Sequence, residues 1–297
     1  MVELQSHLKE IQAKGLGIAS ISYDSVEIVA AFSKQREITF PLLSDVGSAT
    51  IKKYGILNPL PEQALGPSHD EPGVKADVEK YLSVVGARPD MAGIPFPGTF
   101  VVDRQGRVTS RFFEDSYVER NTVSSLLIKM GGNAGGSTTA TKISSNHLDV
   151  ITYPSDAVVA PGNRFSLVLE AEPHPGLHVY APGAEASGYR VVSLAIQPNA
   201  QVRVLPVQYP ASEIFFFKPL NERVPVFQKP FRLIQELVLE GTPAAQEALR
   251  GKQELTLAGT LQYQACDEKI CYNPVSVPLS WKLGLHPVIR ERPTVAH

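Results

Sequence analysis

Cysteine is nearly missing from this chain: two stand among 297 residues, at Cys266 and Cys271, and none precedes them. Two thiolates alone cannot fill the four-ligand shell of a zinc ion, so no metal is expected, and no cofactor. Long apolar runs are missing too. None approaches the roughly eighteen residues of a transmembrane helix, so no stable membrane insertion is expected. Charge of one sign is also scarce, since 28 Lys and Arg against 30 Asp and Glu leave a net charge of −2. That balance gives no basic footprint for nucleic acid and no polybasic patch for a membrane surface. The opening residues Met1, Val2, Glu3, Leu4 and Gln5 lack a signal-peptide pattern, which taken literally points to the cytoplasm. What is present is ordinary for a globular protein, with 43% hydrophobic and 20% charged residues, and the length suits two domains with separate cores.

The two cysteines enclose Asp267, Glu268, Lys269 and Ile270, between runs with apolar residues at alternate positions, 254–263 before and 275–281 after. Such alternation marks half-buried strands, so the thiols sit at the tip or edge of a β-hairpin, close enough to bridge, with Cα atoms about 4.4–6.8 Å apart. A permanent staple is one reading. Closing so short a loop stabilises by only about 2 kcal/mol, against ~4.7 kcal/mol for a hundred-residue loop, which is little for a large domain. A redox pair that opens and closes is the other reading. Exchange proceeds by thiolate attack on a disulfide sulfur, so one sulfur must be accessible. Asp267 and Glu268 oppose thiolate formation while Lys269 favours it, and an ordinary thiol is expected.

A small, polar stretch at residues 131–145 divides the chain and reads as a flexible tether of roughly fifteen residues, spanning about 20 Å. Before it, residues 1–130 alternate helix and strand. Leu4, Leu8 and Ile11 share a helical face, and residues 16–23 read as a buried strand. Asp24 or Ser25 can cap a helix carrying Ile28, Val29 and Phe32, and Ser44 and Asp45 precede a short helix ending near Tyr54. Residues 98–102 form a strand, 103–106 a hairpin turn, and 119–130 a closing helix; the pattern fits an α/β sheet with helices on both faces. Residues 58–92 form a longer insertion, with a short helix over 77–85 and a solvated loop at His69, Asp70 and Glu71. After the tether, residues 146–285 are rich in proline and short alternating strands, as in an antiparallel β-sandwich, followed by a tail over 286–297.

Two resemblances sharpen this. Residues 94–106, with Phe96, Pro97, Gly98 and Thr99 leading into an apolar strand, resemble the strand entry of the thioredoxin fold. Together with residues 22–25, 40–45 and 54–56 they resemble the peroxiredoxin-like (AhpC/TSA) branch, which implies a cis bond before Pro97. That family also carries a first strand and a nucleophilic cysteine, and neither is found before Val2. The first domain is therefore expected to be incomplete, either truncated along with any signal peptide or without chemistry of its own.

In the second half Tyr263, Gln264, Ala265 and Cys266, then Cys271, Tyr272, Asn273 and Pro274, resemble the N-terminal domain of the thiol:disulfide interchange protein DsbD. The resemblance implies an immunoglobulin-like sandwich, a reducible pair with Cys266 and Cys271 as catalytic residues, a thioredoxin-fold redox partner (a separate protein or its own first domain) and a periplasmic setting. Tyr263 and Tyr272 either shield the sulfurs or pack across strands. His178, on the strand of residues 175–183 that also resembles this family, reads as a structural histidine. Phe215, Phe216 and Phe217 either cap the sulfurs, with Phe216 and Phe217 among the surroundings of the pair, or pack two of their rings in the core. In a Cys271→Ser variant Cys266 is expected to stall as a mixed disulfide. A thiol peroxidase with its nucleophile upstream of Met1, and a non-catalytic module with a structural disulfide, are the rival functions.

Overall fold

The computed structural model describes residues 1–85, 93–113, 119–132, 139–218 and 221–287. Most of the tail expected over 286–297, the middle of the expected tether and the end of the insertion lie outside these residues. The chain divides into two compact units, one from Met1 to Val123 and one starting at Ser124. Among the described residues no helix is long and apolar enough to cross a membrane.

The first unit runs α1 (Val2–Ser6), α2 (Leu8–Ala13), β1 (Ser20–Ser22), α3 (Val26–Gln35), β2 (Leu42–Ser44), α4 (Ala49–Lys53), α5 (Leu60–Leu65), α6 (Lys75–Val85), β3 (Gly98–Val102), β4 (Val108–Phe113) and β5 (Arg120–Asn121). Local chemistry sets these ends. The Ser25 hydroxyl accepts the Ile28 amide and caps α3, and the Asp45 carboxylate accepts the Thr50 and Ile51 amides at the start of α4. Asp103 accepts the amides of Gln105 and Arg107, both at 2.9 Å, and Gly106 adopts φ 79°, so β3 turns back into an antiparallel β4. Two expectations fall short. The strand expected over 16–23 is confined to β1, which among the described residues pairs only with β2, in parallel. Among the described residues β1–β2 and β3–β4 form separate two-stranded sheets.

The bond before Pro97 is trans, since no cis peptide occurs among the described residues, and the expected cis proline is corrected. The physical reason lies in its neighbours. Asn58 donates to the Ile94 carbonyl at 3.0 Å, Phe96 donates to the Ile56 carbonyl at 2.7 Å, and Pro95 bridges Leu57. These bonds hold 94–97 extended straight into β3, a path that a trans bond continues, and trans is the favoured isomer.

The second unit begins with α7 (Val123–Lys129), which is shorter than the helix expected over 119–130. Ile128 packs with Tyr153 and Val168, and the Ser125 and Ser166 hydroxyls meet at 2.6 Å in a buried contact, so α7 belongs with the β-rich unit. The strands follow as β6 (Thr141–Ser145), β7 (Leu148–Pro154), β8 (Val158–Val159), β9 (Asn163–Pro173), β10 (His178–Tyr180), β11 (Ser193–Ile196), β12 (Val202–Gln208), β13 (Glu213–Phe217), β14 (Glu222–Phe227), β15 (Phe231–Leu239), β16 (Glu254–Tyr263), β17 (Ala265–Cys266) and β18 (Val275–Leu285), with helix α8 (Pro243–Leu249) before β16. Residues 141–145, expected as tether, are thus a strand. Ile143 packs on the core while its polar neighbours face outward, which is enough for an edge strand beside β7.

One sheet has the order β12-β15-β9-β7-β6 and a second β11-β16-β18-β8. Their inner faces enclose the main core, including Phe165, Leu167, Leu169, Leu233, Leu237, Leu257, Leu261, Leu279, Trp281 and Leu283. Trp281 Nε1 donates to Thr152 Oγ1 at 2.9 Å, so the indole is buried with its polar atom satisfied. A third sheet, β13-β14-β10-β17, carries the cysteines.

Candidate redox site

β16 and β18 form a long hairpin whose last pair is Tyr263 with Val275. Beyond it the chain leaves that sheet, and β17 pairs with β10, setting His178 opposite Cys266 and Val179 opposite Ala265. Alternation gives the third sheet two different faces. Val179, Ala265 and Phe227 point into the main core. Tyr180, Val224, Val226 and Cys266 form a second, smaller core with Ala184, against which Phe215, Tyr189 and Val191 pack.

Cys266 and Cys271 are joined by a disulfide. The flanking bonds, Asp267 N–H to the Ile270 carbonyl at 3.0 Å and Tyr272 N–H to the Ala265 carbonyl at 2.9 Å, make the cysteines a non-hydrogen-bonded pair. Such pairs bring Cα atoms to about 4.5 Å. The separation here is 4.1 Å, slightly shorter than expected from disulfides in general. Asp267 closes the turn: its Oδ1 accepts the Lys269 and Ile270 amides at 2.7 and 2.8 Å, and its Oδ2 accepts the Tyr272 hydroxyl at 3.2 Å. The two backbone amides hold its carboxyl below the usual range.

The two sulfurs do not share one environment. Cys266 is 1% exposed within the small core, whereas Cys271 is an exposed residue. The Tyr180 hydroxyl lies 3.3 Å from Cys271 Sγ, and it donates, because a disulfide sulfur has no proton. Tyr180 stacks on Tyr189 at 4.2 Å, and the Tyr189 hydroxyl donates to Glu222 Oε2 at 2.8 Å. Burial, and then the neighbouring Tyr189 and Glu222, push the Tyr180 hydroxyl above its ordinary range, so it stays a neutral donor. His178 is buried, with its ring 4.4 Å from that of Phe215 and 5.4 Å from that of Tyr180. Burial pushes its pKa down, partly opposed by Asp267, and the imidazole is neutral.

The structure distributes the expected site residues unevenly. Tyr272 lies in the hairpin beside Cys271, bonded to Asp267 and stacked on His147 at 4.0 Å. Tyr263 does not face the sulfurs. It is 1% exposed in the main core, and its hydroxyl donates to the Asn146 carbonyl and lies 2.9 Å from Ser145 Oγ. The cause is parity, since Tyr263 belongs to β16 before the chain changes sheet. Parity also decides the phenylalanines. Phe215 packs on the small core, while Phe216 points to the opposite side, 44% exposed, with the Arg223 guanidinium 5.9 Å from its ring. Phe217 shares the side of Phe215 at the end of the edge strand and is half-buried. Phe216 is therefore corrected out of the site and Phe215 takes its place. Tyr180 and His178 had one available signal, their spacing of two on a single strand. In the His69, Asp70 and Glu71 loop, His69 pairs with Asp70 at 3.0 Å on the surface, and its Nδ1 lies 3.1 Å from the Gly66 carbonyl.

The geometry makes Phe215 the ring to test. Phe215→Ala should speed alkylation of the reduced pair by about two- to tenfold, matching the loss of one aromatic contact of roughly 0.5–1.5 kcal/mol. Alkylation at the wild-type rate in a folded variant would rule out shielding by this ring.

Several solved structures are similar to this chain. The N-terminal periplasmic domain of ScsB from Proteus mirabilis shares 17% identity over 48% of this chain and 51% of that one, with a TM-score of 0.33. The reduced DsbD N-terminal domain of Neisseria meningitidis shares 13% identity over 40% of this chain and 81% of that one, with a TM-score of 0.27. The chain thus spans about half the length of the ScsB structure. No curated protein matches it. Residues 1–111 match the AhpC/TSA family, and residues 151–277 match the family of the thiol:disulfide interchange protein DsbD, N-terminal.

Proposed function

We propose that this protein passes electrons by thiol–disulfide exchange through Cys266 and Cys271, with a thioredoxin-fold protein as partner. The observation that carries this is the asymmetry of the bonded pair: Cys271 is an exposed residue and Cys266 is 1% exposed. A partner thiolate attacks Cys271 Sγ, the intramolecular S–S bond breaks, and the electron pair leaves on Cys266 Sγ. The partner's second thiolate then attacks its own sulfur in the mixed disulfide and releases Cys271. The partner's two thiol protons end on Cys266 and Cys271, and the partner is left oxidised. Tyr180, whose hydroxyl already points at Cys271 Sγ, is placed to donate to the departing Cys271 thiolate. Two sheets packed on one core support an immunoglobulin-like domain, and the cover of Cys266 leaves Cys271 as the partner's way in. Such chemistry fits the periplasm or another oxidising compartment.

Equilibration with glutathione or dithiothreitol buffers, read by thiol quenching and mass, tests the reading. The pair should reduce at a potential above roughly −300 mV. A lower value would identify a permanent structural disulfide and end the exchange reading.

A further inference from the structure

We propose that His178 Nε2 is the hydrogen-bond partner of the Cys266 sulfur in the reduced form and thereby raises the redox potential of the pair; this rests on the exchange reading above. His178 sits directly opposite Cys266 across β10 and β17, so the two side chains leave the sheet on the same face. The imidazole is 2% exposed, and its Nε2 makes no hydrogen bond in the disulfide form. A buried polar atom without a partner costs free energy comparable to a lost hydrogen bond. The surrounding rings, Phe215 at 4.4 Å and Tyr180 at 5.4 Å, are packed against the imidazole and hold it in place.

Reduction supplies what is missing. In the disulfide, Cys266 Sγ is tied to Cys271 and carries no proton. When the S–S bond breaks, Cys266 Sγ takes the electron pair and then a proton delivered by the partner dithiol. The freed side chain can rotate about its Cα–Cβ bond, and its S–H donates to the neutral Nε2, with the imidazole proton on Nδ1. The buried nitrogen is thus unsatisfied in the oxidised state and satisfied in the reduced one. His178 acts on the equilibrium between the two states and needs no change in the fold.

His178→Phe keeps a ring against Phe215 and removes the nitrogen. Its equilibrium with the same dithiol buffers should shift toward the disulfide by about tenfold, a fall of about 30 mV for this two-electron couple. An equilibrium constant equal to that of the wild type would overturn the proposal. A wild-type potential below roughly −300 mV would instead overturn the exchange reading alone. A second measurement uses the unsubstituted chain labelled with ¹⁵N-histidine. The Nε2 resonance of His178 should move on reduction, in the direction of a nitrogen accepting a hydrogen bond, and Nδ1 should keep its proton. An Nε2 resonance that is the same in both redox states would refute the assignment even if His178→Phe failed to fold.

Discussion

Cys266→Ser, with Cys271 retained, should form a stable mixed disulfide with a thioredoxin-fold partner, whereas Cys271→Ser should stay almost unreactive. The reason is access. In the first variant the surviving sulfur belongs to an exposed residue at the hairpin tip. In the second it belongs to Cys266, closed in by Tyr180, Ala184, Val224 and Val226. Attack at Cys266 requires the small core to open, and a local opening of even about 3 kcal/mol lowers the rate about a hundredfold. The sequence reading expects the opposite trap, with Cys266 stalling after loss of Cys271, whereas the burial of Cys266 favours Cys271. The measurement is the amount of partner adduct per minute in non-reducing gels or mass spectra, beginning from reduced variant and oxidised partner. Equal trapping by both variants, or faster trapping by Cys271→Ser, would remove Cys271 as the sulfur that carries the mixed disulfide.

Glu236→Ala should lower the stability of the second unit by about 3–5 kcal/mol, the usual result of breaking one side of a buried ion cluster. Glu236 is 4% exposed on β15 and accepts from three directions: Lys129 Nζ at 2.5 Å, Arg164 at 3.0 and 3.1 Å, and Gln208 Nε2 at 2.7 Å. Burial pushes its carboxyl pKa up, but the bonds from Arg164 and Lys129 outweigh it, and the net shift is down. A carboxyl held lower in the folded state than in the unfolded chain contributes stability above its unfolded pKa of about 4.3. That contribution is lost as pH falls from there through the folded value. Denaturant midpoints measured against pH should therefore drop less steeply below about pH 4.3 in Glu236→Ala than in the wild type. Because the cluster ties α7 to the sheet, the variant should also lose protection of the α7 amides in hydrogen exchange. Parallel pH profiles for the two proteins would show that Glu236 is not the linked group.

Several features depend only on neighbours in the chain, and these were legible. Ser25 as a cap, the turn at Asp103, the hairpin bearing the cysteines and the alternation in β16 and β18 all arise from residues a few positions apart. The family motifs are similarly local, and both matched segments lie where those strings occur. The tether was half legible. Its glycines gave no sign that residues 141–145 would find a pairing edge on β7, because that edge is contributed by another strand.

What the sequence by itself determined is that a cysteine pair close enough to bridge stands at a hairpin tip or edge, behind an α/β half and within a β-rich one. What only the tertiary structure decided is which side of that pair faces inward. Alternation assigns residues to two faces but never says which face is buried, and that choice is made when β17 leaves its hairpin to pair with β10. The single step sends Tyr263 into the main core, Cys266 into the small one and Cys271 outward. Pairing of β13 with β14 likewise selects Phe215 over Phe216, and the bonds from Asn58 and Phe96 hold Pro97 in a trans path. In each case the deciding partner lies on a different strand or segment, and the contact exists only once the chain has folded.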